Sequence, residues 1–298
     1  MSDLAQVRPA MKISQIRIYH LRAPLKTPFG FSQWTFHSRE TTLVSLHTDS
    51  GHVGWGEAYG PPLPILATLQ QISGPAILGR DPRDVESTWA YLYARTIDYG
   101  QKGPHVAALS AIDIACWDLK SRIADQPLYR HLGAAHTESI PCYATGLYFR
   151  NTGNLETELC EEAAQYADEG FTAVKMKVGL GIDTDTRLVR SVRRTLGEGV
   201  RLMIDANHCY TTVEAIELGR RLDDCHLGWF EEPTSPLDIA GYREIRSRLN
   251  VPIAGGECEQ TRFGFAPWLE GRALDYLQPD LCQCGGITEG LKIAAIAA

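Results

Sequence analysis

The chain has 298 residues, 44% hydrophobic and 22% charged, a composition that supports a sizeable buried core and contains no segment that reads as disordered. A formal net charge of −7 argues against a nucleic-acid or anionic-membrane surface, and the basic run around Arg187, Arg190, Arg193 and Arg194 reads as a solvated helix face. No run reaches the ~18 apolar residues of a membrane span, and the N-terminal MSDLAQVRPA has no signal-type apolar region.

Eight cysteines, at 116, 142, 160, 209, 225, 258, 282 and 284, lack the spacing of a disulfide framework and predict a reducing, cytoplasmic setting. Cys282 and Cys284 form a C-x-C pair with no second pair at zinc spacing, so they read as structural.

From Met11 the pattern alternates as a sheet would, through KISQIRIYHLRAPL and TTLVSLHTDSGHVGWGEAYG, with Asp49-Ser50-Gly51 as a hairpin turn. Helical spacing follows in ILATLQQISGPAILG, DVESTWAYLYART and VAALSAIDIACWDLKSRIA, which makes residues 11–135 an α+β domain. Beyond it, SIPCYATG, FTAVKMKVG, RLMIDAN, LGWFEEP, VPIAGGE and ALDYLQPD read as strands, each followed by an amphipathic helix. Six successive βα units over 136–298 predict an α/β fold built on a TIM-type barrel. Two further units would close such a barrel, so the chain is expected to be truncated at its C-terminus relative to a closed one.

Charged residues recur at the strand ends. Lys177 to Asp205 is 28 residues, Asp205 to Glu231 is 26, Glu231 to Glu257 is 26 and Glu257 to Asp280 is 23. Each interval is one βα unit, which sets all five at the C-terminal face where barrel enzymes carry their chemistry. Three converging carboxylates repel one another unless a cation offsets them, and an all-oxygen set favours Mg²⁺. The competing reading, that each acid caps the helix after it, weakens when three stand in register. The sequence leaves open which member of Glu231-Glu232 coordinates. Lys175 and Lys177 alternate on one strand and share a face; side by side near a divalent cation they are expected to lower each other's pKa, so that one acts as a base toward a proton α to a carboxylate. Snorkelling or ion-paired lysines are the bland alternative.

KMK at 175–177, DAN at 205–207, FEEP at 230–233, GGE at 255–257 and QPD at 278–280 with GG at 285–286 resemble the enolase superfamily, in its mandelate racemase and muconate lactonising enzyme branch. The resemblance covers nearly the whole chain and implies an N-terminal capping domain whose loops close over the barrel mouth. It implies Asp205, Glu231 and Glu257 as Mg²⁺ ligands, Lys177 as the base, Lys175 as its electrostatic partner and a contact to the substrate carboxylate, and Asp280 as the aspartate that orients a histidine expected beyond residue 298. Asn207 would sit beside the metal. More narrowly, TPFGF, VGWGEAYGP, YATG, LMIDANHCYT and DLCQCGG look like galactarolactone cycloisomerases and related sugar-acid enzymes. That implies a small-molecule acid sugar or lactone as substrate, with α-proton removal, an enediolate and expulsion of the ring oxygen from the β position. Dehydration and epimerisation share the enediolate and stay open.

Substrate contacts are expected from capping loops at 26–39 and 55–61 and from the strand ends, with Trp34, His37, Tyr59, Tyr148 and His208 as candidates beside Asn207. His208 reads as a substrate contact ahead of a ligand. A homo-oligomer is compatible with all of this. Two readings from other classes compete: a Schiff-base aldolase, which needs one lysine and leaves the carboxylates unexplained, and a non-catalytic truncated chain.

Overall fold

The computed structural model describes residues 11–133, 139–151 and 153–298. The expected domain boundary at 135/136 lies outside the described residues.

Strands β1 (Ile13–Gly30), β2 (Thr35–Thr48) and β3 (Val53–Ala58) form an antiparallel sheet in chain order. The 49–51 turn joins β2 to β3, and Gly51 adopts φ +88 there, as the turn chemistry requires. The segment expected as a loop at 26–39 is instead mostly strand. Pairing of β1 with β2 breaks register between Pro24 and Phe29, then resumes through Phe29↔Phe36 and Gly30↔Thr35. A bridge from Gly30 to Phe149 and ring contact between Phe29 and Phe36 extend the hairpin, leaving only Phe31–Trp34 as its tip. Likewise Trp55–Ala58 belongs to β3 rather than to a loop.

Helices α1 (Pro62–Thr68), α2 (Gly74–Ile77), α3 (Val85–Thr96), α4 (Pro104–Ile123) and α5 (Leu128–His131) follow, with a π-helical turn at Leu69–Ser73 between the first two. Helix α4 is apolar almost all round, as a helix covered on several sides must be. Small residues let it lie directly on β3: a Cβ at Gly56 would stand 1.9 Å from the Ala111 carbonyl oxygen. Val44, Leu46 and Ala58 pack from the sheet onto Ala108, Ala111 and Ile112.

The second half alternates β4 (Ala144–Thr145), α6 (Leu155–Asp168), β5 (Ala173–Lys177), α7 (Ile182–Leu196), β6 (Arg201–Asp205), α8 (Thr212–Arg221), β7 (Phe230–Glu231), α9 (Ile239–Arg248), β8 (Ile253–Gly255), α10 (Thr261–Glu270), β9 (Tyr276–Leu277) and α11 (Gly286–Ala297). Among the described residues these strands form one six-stranded parallel sheet in sequential order, the expected barrel-type succession. Alternation divides β5: Val174 and Met176 enter the apolar layer beneath the helices, while Lys175 and Lys177 point the other way.

Helix α11 is tied to the first half. Its start is capped from α4, where the Asp113 carboxylate accepts from Thr288 N–H at 2.9 Å and from the Thr288 hydroxyl at 2.6 Å. Trp117 Nε1 donates to Thr288 Oγ1 at 2.9 Å and Trp89 Nε1 to the Gly285 carbonyl at 2.8 Å, and Ile287 joins the capping-domain core. Gly286 takes φ +81, and a Cβ there would lie 2.3 Å from Asp113 Oδ2, so this junction admits only glycine. Among the described residues no helix is long and apolar enough to cross a membrane, and each of the eight cysteines is free.

Candidate active site

Parallel register builds the site. Lys177 pairs with Asp205 across β5–β6, and Asp205 pairs with Glu231 across β6–β7, so three charged residues stand in one row at the strand ends. Lys177 Nζ lies 2.5 Å from Asp205 Oδ2, and Lys175 Nζ lies 2.5 Å from Glu231 Oε1 and 3.3 Å from Asp205 Oδ2. All four side chains are buried.

These pairings change the expected electrostatics. Burial acts against the Lys175 charge, but the Asp205 and Glu231 carboxylates outweigh it and hold the ammonium above its usual range. For Lys175 the expected lowering by its lysine neighbour is therefore reversed, because carboxylates stand closer than the second ammonium. Burial likewise opposes the Asp205 charge, and the two lysines overcome it and lower its pKa. Glu231 is raised by burial and by Asp205, Glu257 by burial and by Asp205, and Glu232 is pushed up to about 8 by burial and by Glu257.

That pattern is one of uncompensated negative charge. Asp205, Glu231, Glu232 and Glu257 bring four carboxylates against the two ammonium groups, and a divalent cation would cancel the difference. Buried oxygens without partners point the same way: Asn207 Oδ1, Glu232 Oε1 and Gln278 Oε1 lack a hydrogen bond among the described residues. Carboxylate and amide oxygens suit a hard cation, so the residues present fit Mg²⁺.

Asn207 stands between two acids, its Nδ2 3.4 Å from Glu257 Oε1 and 3.5 Å from Glu232 Oε2. Its backbone N–H donates to Asp205 Oδ1 at 2.9 Å. Asn207, His208 and Glu232 all take left-handed φ, between +41 and +55, and strain of this kind collects at functional sites. Asp280 lies beyond β9, where its Oδ1 accepts from Cys282 N–H at 2.7 Å.

The hairpin tip covers this row. Ser32 Oγ donates to the Ala206 carbonyl at 2.8 Å and Gln33 Nε2 to the Asn207 carbonyl at 3.1 Å, which docks the tip on the loop after β6. Lys177 Nζ then lies 5.6 Å from the Phe31 ring centroid and 5.3 Å from that of Tyr148. Trp34 is exposed and packs on Phe31 and Phe36, within the same aromatic group as Tyr148 and Phe29. His37 is exposed, and the period of two sets it on the face opposite Phe36, so it does not join that group. The Tyr59 N–H donates to the Cys282 carbonyl, and burial together with Glu257 raises the Tyr59 phenol. His208 is half-buried, its N–H donating to the Glu232 carbonyl at 2.7 Å, and burial lowers its imidazole.

Sequence reasoning missed several participants. Trp229 Nε1 and Gln278 Nε2 donate to Glu231 Oε2 at 3.0 and 2.8 Å. Trp229 is two residues before Glu231 and so shares its face, a signal available in the alternation alone. Gln278, Phe31, Ser32 and Gln33 depend on folds of the chain that no local pattern announces.

Comparison with known proteins agrees with this architecture. Residues 13–133 match the mandelate racemase / muconate lactonizing enzyme N-terminal domain, and residues 158–298 match the enolase C-terminal domain-like family. The chain is 42% identical, over 96% of its length and 76% of the relative's, to the D-galactarolactone cycloisomerase of Agrobacterium fabrum. It superposes on the 3,6-anhydro-D-galactonate cycloisomerase of Zobellia galactanivorans with a TM-score of 0.89 and 40% identity, covering 96% of this chain and 77% of that one. The L-talarate/galactarate dehydratase of Salmonella typhimurium, liganded with Mg and L-lyxarohydroxamate, gives a TM-score of 0.91 at 30% identity, covering 100% and 78%. The chain therefore belongs to the enolase superfamily, as an enzyme of its mandelate racemase / muconate lactonizing branch.

Proposed function

We propose that this chain removes the proton α to the carboxylate of a sugar acid or sugar-acid lactone, and that its reaction is the ring opening of a galactarolactone-like substrate. The observation that carries the reading is the row of Lys177, Asp205 and Glu231, with Lys175 on the same face and an aromatic hairpin tip above it. Similarity to a cycloisomerase of a sugar-acid lactone and to one of an anhydro sugar acid supports the substrate class.

Asp205, Glu231 and Glu257 would hold Mg²⁺, which supplies charge to offset the negative charge that develops on the substrate carboxylate and engages carboxylates that otherwise pair with the lysines. Lys175 binds the substrate carboxylate. Lys177, once released from Asp205, accepts the α-proton at Nζ, and the C–H electron pair passes into the carboxylate as an enediolate. Collapse of the enediolate forms the Cα–Cβ double bond and breaks the bond from Cβ to the ring oxygen. The leaving group is itself a carboxylate and departs without a proton. The enol then becomes a 3-deoxy-2-keto acid of the same composition as the lactone. Phe31, Tyr148 and Trp34 screen the base from water, and Asn207 and His208 contact the sugar hydroxyls.

Dehydration of an open acid sugar is the second reading, supported by the similarity to sugar-acid dehydratases, which share the enediolate and expel a β-hydroxyl in place of a ring oxygen. The test is incubation of galactarolactone and of acyclic acid sugars with the enzyme and Mg²⁺ in D₂O, following the α-proton and the product by NMR. Keto acid from the lactone supports ring opening. Turnover of only the acyclic acids moves the assignment to a dehydratase, and exchange with inversion and no elimination moves it to an epimerase.

A further inference from the structure

His208, Glu232 and Cys258 follow β6, β7 and β8, and lie beside the row of lysines and carboxylates. An imidazole nitrogen, a carboxylate oxygen and the thiol of these three come within 4.8 Å of one another. Backbone geometry brings them together: the His208 N–H bonds the Glu232 carbonyl, and both residues hold left-handed φ. Glu232 is 1% exposed, and one of its carboxylate oxygens has no hydrogen-bond partner of good geometry among the described residues, its carboxylate being met by the Cys258 thiol and by a 3.5 Å contact from Asn207. A buried carboxylate in that condition is costly unless a cation or donor completes it. Cys258 is exposed and His208 half-buried, so the cluster is reached from solvent.

We propose that His208, Glu232 and Cys258 form a second metal site, taking a borderline-soft divalent cation such as Zn²⁺ or Co²⁺ beside the hard-cation site of Asp205, Glu231 and Glu257. Nitrogen, oxygen and sulfur in one set are the donors that Zn²⁺ accepts and Mg²⁺ does not. Three protein ligands leave the fourth tetrahedral position for water. Bonds of about 2.0–2.3 Å bring tetrahedral donors to within roughly 3.3–3.8 Å of one another, so the three side chains close inward by about 1 Å, within the reach of side-chain rotation. Asn207, in contact with both Glu257 and Glu232, separates the two sites. The plain alternative is three neighbours that share a loop cluster and hold no metal.

The test is Co²⁺ titration of the whole chain in a large excess of Mg²⁺, which keeps the oxygen site filled. Saturable binding with a sulfur-to-cobalt charge-transfer band in the near ultraviolet is the expected result. Cys258→Ser should abolish that band, and both Cys258→Ser and His208→Gln should weaken Co²⁺ by about 100-fold or more, because loss of an outer-shell partner alone costs about 10–100-fold. His208→Gln should keep the band at saturating Co²⁺. No band in the unmodified chain, a band that survives Cys258→Ser, or an affinity that His208→Gln leaves unchanged each overturns the site. Circular dichroism confirms that the variants are folded, and the outcome does not depend on which sugar acid the enzyme turns over.

Discussion

Lys177 Nζ and Asp205 Oδ2 are 2.5 Å apart, opposite one another in the β5–β6 register. The contact ties up the Lys177 Nζ, so its access to a substrate proton depends on what else engages Asp205. Lys177→Ala should lower the exchange of the substrate α-proton with solvent deuterium by about 10²–10⁴-fold, the range for loss of a general base. Exchange that persists at the original rate would remove Lys177 from the reaction.

Both members of the Glu231-Glu232 pair are buried, but they face different partners. Glu231 meets Lys175, Trp229 and Gln278, whereas Glu232 sits with Asn207. A chelator should abolish turnover and Mg²⁺ restore it. Calorimetry should show Glu231→Gln weakening Mg²⁺ by about 100-fold or more and Glu232→Gln by less than about tenfold. The opposite order would transfer the ligand role to Glu232.

Docking of the hairpin tip rests on few bonds. Gln33→Ala removes the bond to the Asn207 carbonyl, worth about 0.5–1.5 kcal/mol, and should raise KM by roughly twofold to tenfold with kcat little changed. A fall in kcat at constant KM would mean that the tip acts in the chemical step.

Asp113 gives a pH dependence remote from the site. Burial pushes its carboxyl from 3.8 to about 7 in the folded chain, against the hydrogen bonds from Thr288. Below about pH 4 both folded and unfolded chains hold the proton. Between about 4 and 7 the unfolded carboxyl ionises while the folded one stays protonated, so stability falls as pH rises, by a total on the order of 4 kcal/mol. Asp113→Asn mimics the protonated form. Relative to that variant, the parent chain should lose denaturant resistance as pH rises across this window, and parallel profiles would show that Asp113 titrates normally.

Much of the site was legible because it is periodic. Spacing of one βα unit placed Lys177, Asp205, Glu231 and Glu257 at strand ends, and alternation put Lys175 beside Lys177. Three things were not legible, for one physical reason: they depend on which atoms approach across separate segments. Cross-strand register decided that Asp205 and Glu231 reach the lysines. The Phe29↔Phe36 pairing turned an expected loop into a hairpin, and the two-residue period then carried His37 away from the aromatic group. Capping of α11 by Asp113 joins residues 175 positions apart and leaves no local trace.

That cap has a consequence for how such an enzyme diversifies. The capping layer is seated through α3 and α4 on the very βα unit that follows Asp280, using Trp89 from the first helix, Asp113 and Trp117 from the second, and the glycine at 286. None of these anchors is an aromatic of the hairpin. The layer is thus seated by residues other than those of the hairpin tip, and exchanges at Phe31, Trp34 and Phe36 leave every one of these anchors in place.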